Sequence, residues 1–457
     1  MQGLHPGPLY DGAVTQAVPT RAPRTPAPGA MRSGVVIATS LAAWSIGAYV
    51  FYLLAGRLLG PAEYGLAAAL QAVIVVVALP MTALQWSSAR VVAASRSDSD
   101  AAAVYRRTLV TSTLYACALA AAATVVTIFV AARSNGIPIG PLVAMYWSLV
   151  PVVPLFVAIG VLQGQHRYAA FGWSYGLTGV LRPILLLPLI AAPVLTHVES
   201  TVVATGIPYA IGAGLAVWLT RSLLRSRSRP STEAWRSFRS GLGAAAIGLA
   251  GIAILTNVDV VAAKLALGGD EAGYFGAAAI IAKALMLVPQ ALTVVLLPRV
   301  AERQQRGQAT GSLLAVGVLA IAAAGLLAMA LAVPLEGPIV TITFGTAFEP
   351  AAALVVPFFG ATTLLGALLI LVNHHVARND HRFAWAVGAL AIVQVILLVL
   401  FGTSAGAIIA IDAIVAGAGL VIHEVMYLQT DESMLMGAGR QARSVLRRIR
   451  ARPEDAA

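Results

Sequence analysis

Charge is what this sequence has least of. Of its 457 residues, 11% are Asp, Glu, Lys or Arg, where a soluble domain carries about 25%. So little charge cannot clothe a water-soluble protein of this length, which excludes a cytosolic enzyme and a disordered chain. Cysteine is nearly missing. The lone Cys117 can form no intrachain disulfide, which excludes a disulfide-stapled secreted domain. Within its apolar stretch it reads as a small buried residue. Lysine is reduced to Lys264 and Lys283, against 28 arginines. The phosphate loop G-x-x-x-x-G-K-[ST] does not occur, which argues against ATP hydrolysis. No stretch between apolar runs is long enough for a catalytic domain, and the short outer loops lack paired acids. The chain therefore reads as a non-enzyme with no cofactor.

What is present is apolar. Residues of the set AVILMFWYC make up 59%, and the mean hydropathy is +0.84. A helix needs roughly 20 apolar residues to cross a bilayer core. Twelve such stretches follow one another, at 34–56, 63–86, 108–132, 141–163, 171–193, 200–220, 240–263, 272–297, 311–333, 351–373, 383–401 and 405–427. The first is too long for a secretory h-region. The expectation is an all-α polytopic protein of the plasma (inner) membrane.

The net charge of +11 would suggest nucleic acid in a soluble protein. Its placement gives another meaning. With both termini cytoplasmic, 25 of the 30 basic residues fall in inner segments, as the positive-inside rule requires. They include Arg106-Arg107, six arginines between Arg221 and Arg239, Arg299, Arg303 and Arg306, and six from Arg440 to Arg452. Only Arg57, Arg133 and Lys264 fall in outer connections, and Arg182 and Lys283 inside spans. The resulting divisions are a disordered cytoplasmic tail (1–30), a first lobe (31–220), a basic cytoplasmic linker (221–239), a second lobe (240–427) and a basic tail (428–457). The last has helical spacing and suits anionic inner-leaflet lipid.

The chain also repeats itself. Around the first connection of each half stand Arg57, Gly60, Glu63, Tyr64 and Gly65, then Lys264, Gly268, Glu271, Gly273 and Tyr274. Pro80 precedes Arg90-Val91 by ten residues, as Pro289 precedes Arg299-Val300. Six spans per half give both halves the same orientation, so the repeat is parallel. Two six-helix lobes around a central cavity are the expected architecture.

These motifs, with the segment Asn257 to Arg299, resemble the polysaccharide (O-antigen, Wzx-type) flippases. That family sits in the MOP superfamily beside the MATE exporters and the lipid II flippase MurJ. The resemblance covers most of residues 31–427 and is only weakly specific for substrate. It implies alternating access and export of a polyprenyl-diphosphate-linked oligosaccharide for cell-surface polysaccharide synthesis, alongside glycosyltransferases or polymerases of the same pathway. Two other readings stay open: a MATE-like cation-coupled exporter of small amphipathic molecules, and a transport-inactive scaffold for envelope synthesis.

Charge inside a bilayer costs about 2.5–3.5 kcal/mol per residue on insertion scales and normally faces a cavity or a partner. Arg182 and Lys283 are candidates to compensate a diphosphate, with Arg57 and Lys264 at the first helix end of each lobe. Gln71, Asn257 and Gln394 could bind sugar hydroxyls. Asp259 could take up a coupling ion. Each has a plainer reading. Arg57 and Lys264 can snorkel to lipid phosphate, Arg182 can serve carbonyls freed by Pro183, and Asp259 can simply pair with Lys283. Asp412 reads either as another intramembrane charge or, near its helix start, as interfacial, and His423 and Glu424 read as interfacial. His374 and His375 lack ligand spacing with any carboxylate cluster, so no metal site is expected.

Overall fold

The computed structural model describes residues 30–95, 98–133, 138–225, 229–240, 242–292, 311–377, 380–428, 430, 432–436 and 439. Several basic residues of the topological argument lie outside these, among them Arg21, Arg24, Arg299, Arg303, Arg306 and Arg440 to Arg452. So do the Asn135-Gly136 turn and the 1–29 segment.

Among the described residues the chain is all-helical and without strands. The first apolar helical stretch runs over 61 residues from Gly34 to Ala94. At 1.5 Å per residue that is about 90 Å, three times a bilayer core. It is divided at Gly60, whose φ of 72° and ψ of 172° no helix tolerates. The result is span 1 (30–59) and span 2 (61–94). The remaining spans are 3 (Asp98–Ala131), 4 (Ile139–Gly164), 5 (Tyr168–Ala191), 6 (His197–Leu219), 7 (Leu242–Ala266), 8 (Gly269–Leu292), 9 (Gly311–Thr343), 10 (Ala352–Ala377), 11 (His381–Phe401) and 12 (Ala405–Tyr427). Among the described residues there are therefore twelve spans, as two six-helix lobes.

The repeat is physical. Gly268 adopts φ 66° and ψ 175°, nearly the conformation of Gly60, at the matching joint between spans 7 and 8. A side chain is strained at such positive φ, which is why both repeats keep glycine. Further along, each second helix is interrupted by one 3₁₀ turn, Leu79–Met81 in span 2 and Ala284–Met286 in span 8. Packing repeats as well. Span 1 lies on 5 and span 7 on 11, span 4 on 6 and span 10 on 12, and span 3 on 4 and span 9 on 10. Gly47 and Gly179 let the backbones of spans 1 and 5 touch; a Cβ on Gly47 would stand 2.5 Å from the Gly179 carbonyl oxygen. Gly251 serves spans 7 and 11 alike, where a Cβ would stand 3.1 Å from the Gly388 nitrogen. Without a hydrophobic drive in lipid, such close small-residue contacts are what holds helices together.

The lobes meet where span 2 crosses span 8. A Cβ on Gly65 would fall 2.8 Å from the Gly273 nitrogen, and one on Gly273 would fall 2.0 Å from the Pro61 carbonyl oxygen. Three residues on, Gly276 approaches Ala68. Gly65 with Gly273, and Ala68 with Gly276, each join a residue to its own counterpart in the repeat, so the crossing lies on the local two-fold axis. Beside it, Tyr64 packs edge-on against Phe344 and Phe348, and Tyr274 also packs edge-on with Phe348.

A linker helix, Thr232–Ser240, precedes span 7. Its Trp235 stacks on Phe238, which is buried against Val91 and Val104 of the first lobe. Outward faces are apolar and exposed, as at Leu119 and Val125 on span 3 and Ile392 and Val399 on span 11. Helices of this length with such faces define a multi-pass membrane protein.

Candidate functional site

In the second lobe, helix placement gathers residues far apart in sequence. Asp259 is seven residues from the end of span 7, and Lys283 closes the regular helix of span 8 just before the 3₁₀ turn. The Lys283 ammonium donates to both Asp259 oxygens at 2.8 Å. Asp259 is 1% exposed, and the Lys283 side chain 13%. Asp412 of span 12 lies beside this pair, interacting with both. Gln394 of span 11 donates to Asp412 at 2.7 Å and to the Leu255 carbonyl at 3.1 Å. The interior thus holds two carboxylates, one ammonium and one amide on four helices.

The interfacial reading of Asp412 is corrected by this arrangement. It is buried, and its carboxylate accepts from the Gln394 amide of another helix and lies beside the Asp259–Lys283 pair. Asn257 stands apart from the network: its amide donates to the Ala253 carbonyl and Thr256 within its own helix.

The first lobe carries a cation without an acid. Arg182 is 2% exposed. One guanidinium nitrogen donates to the Tyr209 hydroxyl at 2.5 Å, and the group lies over the Tyr209 and Trp44 rings. Tyr52 and Tyr175 complete an aromatic surround. The Nε–H finds no acceptor, and no described carboxylate pairs with this arginine. It does not cap a carbonyl at Pro183, so the kink reading is not what the geometry shows. Gln71, on span 2, is spent on span 6: it donates to the Thr201 carbonyl and to Thr205.

The two interfacial candidates separate. Arg57 leaves its own lobe and donates to the carbonyls of Ile342 and Thr343, at the end of span 9. Those carbonyls have no intrahelical partner, and a cation there also meets the negative end of the helix dipole. It is an inter-lobe tie beside Tyr64 and Phe344. Lys264 is half-buried in the last turn of span 7, away from the interior cluster.

At the opposite end of the second lobe a further polar group appears. His375 faces Asp380, Glu432 and His423, with His374 alongside. Sequence spacing gave no reason to join these residues, since they come from span 10, the following loop, span 12 and the segment after it. Asp380 lies outside the spans. Burial pushes its carboxyl up, but hydrogen bonds from the Tyr427 hydroxyl and the Arg382 N–H, together with His375, outweigh this and hold it below the ordinary carboxylate value. Glu424 accepts from Ser433 and from the Met434 and Leu435 amides.

No protein-family model matches the chain, and no curated protein matches it in sequence. Solved structures do match. The lipid II flippase MurJ, in an inward closed conformation, superposes with a TM-score of 0.65 at 11% identity, over 84% of this chain and 86% of MurJ. An inward-facing multidrug resistance MATE transporter of the MOP superfamily gives 0.57 at 14% identity, over 89% and 98%. A eukaryotic MATE transporter gives 0.54 at 12%, over 86% and 95%. The chain therefore has the fold shared by MOP-superfamily transporters. Within that fold it is similar to MurJ and to the MATE proteins alike.

Proposed function

We propose that the protein is a flippase that moves a polyprenyl-diphosphate-linked oligosaccharide from the cytoplasmic to the outer leaflet of the plasma membrane, with both termini cytoplasmic. The observation that carries this reading is Arg182. An uncompensated charge in the interior costs several kcal/mol, and here a buried guanidinium retains an unused donor and no carboxylate partner. An anion is the chemistry it lacks, and guanidinium donors match phosphate oxygens. The second lobe brings Lys283, already neutralised by Asp259, so that an arriving diphosphate competes with a carboxylate for the same ammonium. Such competition couples anion binding to the release of Asp259. The lipid tail stays in the bilayer while the sugars pass between the lobes. Membrane lipids and the glycan-building enzymes of the same pathway are the expected partners.

The test is deletion of the gene, followed by leaflet-resolved analysis of lipid-linked sugars in a strain with no redundant flippase. Substrate should accumulate on the inner leaflet; normal outward delivery would reject the proposal. A cation-coupled exporter is the second reading, and the paired Asp259 and Asp412 favour it. In that case efflux of cationic amphiphiles would depend on both carboxylates, and lipid-linked sugars would be unaffected by deletion.

A further inference from the structure

We propose that His374, His375, Asp380 and Glu432 form a binding site for a divalent transition-metal ion of the zinc type. The proposal stands independently of the transport reading. Tetrahedral zinc holds nitrogen and oxygen ligands at about 2.0–2.2 Å, which sets neighbouring ligand atoms roughly 3.3–3.5 Å apart. The His375 Nδ1 is 3.2 Å from the Asp380 Oδ2 and 3.7 Å from the Glu432 Oε2. His374 offers a ring nitrogen to the same place, and the ligand atoms of His374, His375 and Glu432 all lie within 4.8 Å of one another. All three of these residues are buried.

The surroundings of these groups agree with that role. A histidine bound through Nδ1 keeps its proton on Nε2 and normally donates it to a fixed acceptor. The His375 Nε2 faces the His423 Nε2 at 3.0 Å, so His423 is placed to receive that proton. Ligating carboxylates are usually hydrogen-bonded in turn, and the Tyr427 hydroxyl donates to the Oδ2 of Asp380. Tyr427 also stacks on the His375 ring at 4.4 Å between centroids, which fixes the ring plane. Two imidazoles and two carboxylates form a mixed nitrogen and oxygen set, suited to zinc rather than to magnesium or to thiophilic metals. Because Glu432 follows span 12 and the histidines end span 10, a bound ion would pin the start of the C-terminal tail to the second lobe.

The experiment is metal analysis of the full-length protein, purified in detergent with an affinity tag that contains no histidine. After incubation with Zn²⁺ and desalting, mass spectrometry of the metal content should find about one zinc per chain. Asp380→Asn and Glu432→Gln preserve shape and should each remove most of it. Tyr427→Phe and His423→Gln touch no metal directly and should weaken zinc affinity roughly tenfold. His166→Ala, at an exposed position remote from the cluster, should change nothing. Wild-type protein that retains no zinc would overturn the proposal. So would zinc retained in full by the Asp380→Asn and Glu432→Gln variants, each eluting as a monodisperse peak. An unstable His375→Ala variant would not alter either conclusion, since the wild-type measurement stands alone.

Discussion

Replacing Lys283 by methionine tests whether the interior charges of the second lobe are structural or functional. At a separation of 2.8 Å and an effective dielectric constant near 20, the gross attraction to Asp259 is about 6 kcal/mol. Desolvation offsets much of it. What the substitution leaves behind matters more than what it removes: Asp259, 1% exposed, next to the second buried carboxylate of Asp412. Breaking a buried pair from one side costs about 3–5 kcal/mol. The lower end applies here, because part of the Lys283 side chain reaches solvent and Gln394 already serves Asp412. We predict a loss of about 3 kcal/mol, or a fall in Tm of about 3 °C for a chain of this size. The double variant Asp259→Asn/Lys283→Met leaves no orphan charge and should recover most of that loss. Tryptophan fluorescence during thermal unfolding in detergent gives both numbers, and leaflet-resolved substrate analysis in cells gives activity. A double variant that is stable yet inactive assigns the charges to transport. One that is stable and fully active makes them structural. Should Lys283→Met unfold at the wild-type temperature, the argument from an uncompensated buried carboxylate is refuted.

Other substitutions follow from the same geometry. Arg182→Gln keeps hydrogen-bonding capacity but removes the charge, so substrate transport should fall at least tenfold in the cellular assay while the protein still inserts; unchanged transport would remove Arg182 from the site. Tyr209→Phe deletes one hydrogen bond to that arginine and should cost about 1–2 kcal/mol in thermal stability, measured as above. Arg57→Ala uncaps span 9 and should weaken the inter-lobe tie by about 0.5–1 kcal/mol; cysteines placed across the lobes at the opposite end should then cross-link faster, and slower cross-linking there would be the wrong sign. Gly273→Ala drives a methyl group to 2.0 Å from the Pro61 carbonyl oxygen, against backbone that cannot swing aside, and should lower Tm by several degrees. Gly243→Ala, where a Cβ meets nothing, is the matched control.

The fold was readable because a bilayer leaves few choices. Every backbone polar group must be paired within a helix, so apolar length and arginine placement suffice to count spans. Even the joint at Gly60 was visible as a recurring glycine, although the positive φ that demands it was not. The tyrosines of the motif were matched by type, yet Tyr64 and Tyr274 are not strict counterparts; both converge on Phe348. The sites were less readable. Arg182, Lys283 and Asp259 stood out because charge is rare in an apolar helix. Asp412 was discounted from its nearness to a helix start, when its burial depends on spans 7, 8 and 11. Arg57 was open between substrate and lipid phosphate, since nothing local to it announces the end of a helix nearly 300 residues away. The histidines of span 10 looked isolated for the same reason: their carboxylates arrive from a loop and from beyond span 12. Periodicity reports which face a residue occupies, and tertiary pairing decides what it meets there.

The crossing at Gly65 and Gly273 has an evolutionary consequence. Where a residue touches its own counterpart, the two halves cannot drift apart independently, because any enlargement of one must be answered by the other. Elsewhere each half has only its own interior to satisfy, and there they have diverged until one holds an arginine among tyrosines and the other a lysine between acids. A contact of this kind is self-complementary, the same surface that a single six-helix half would present to an identical partner. The seam is therefore the part of the molecule that one gene, still unduplicated, would already have needed.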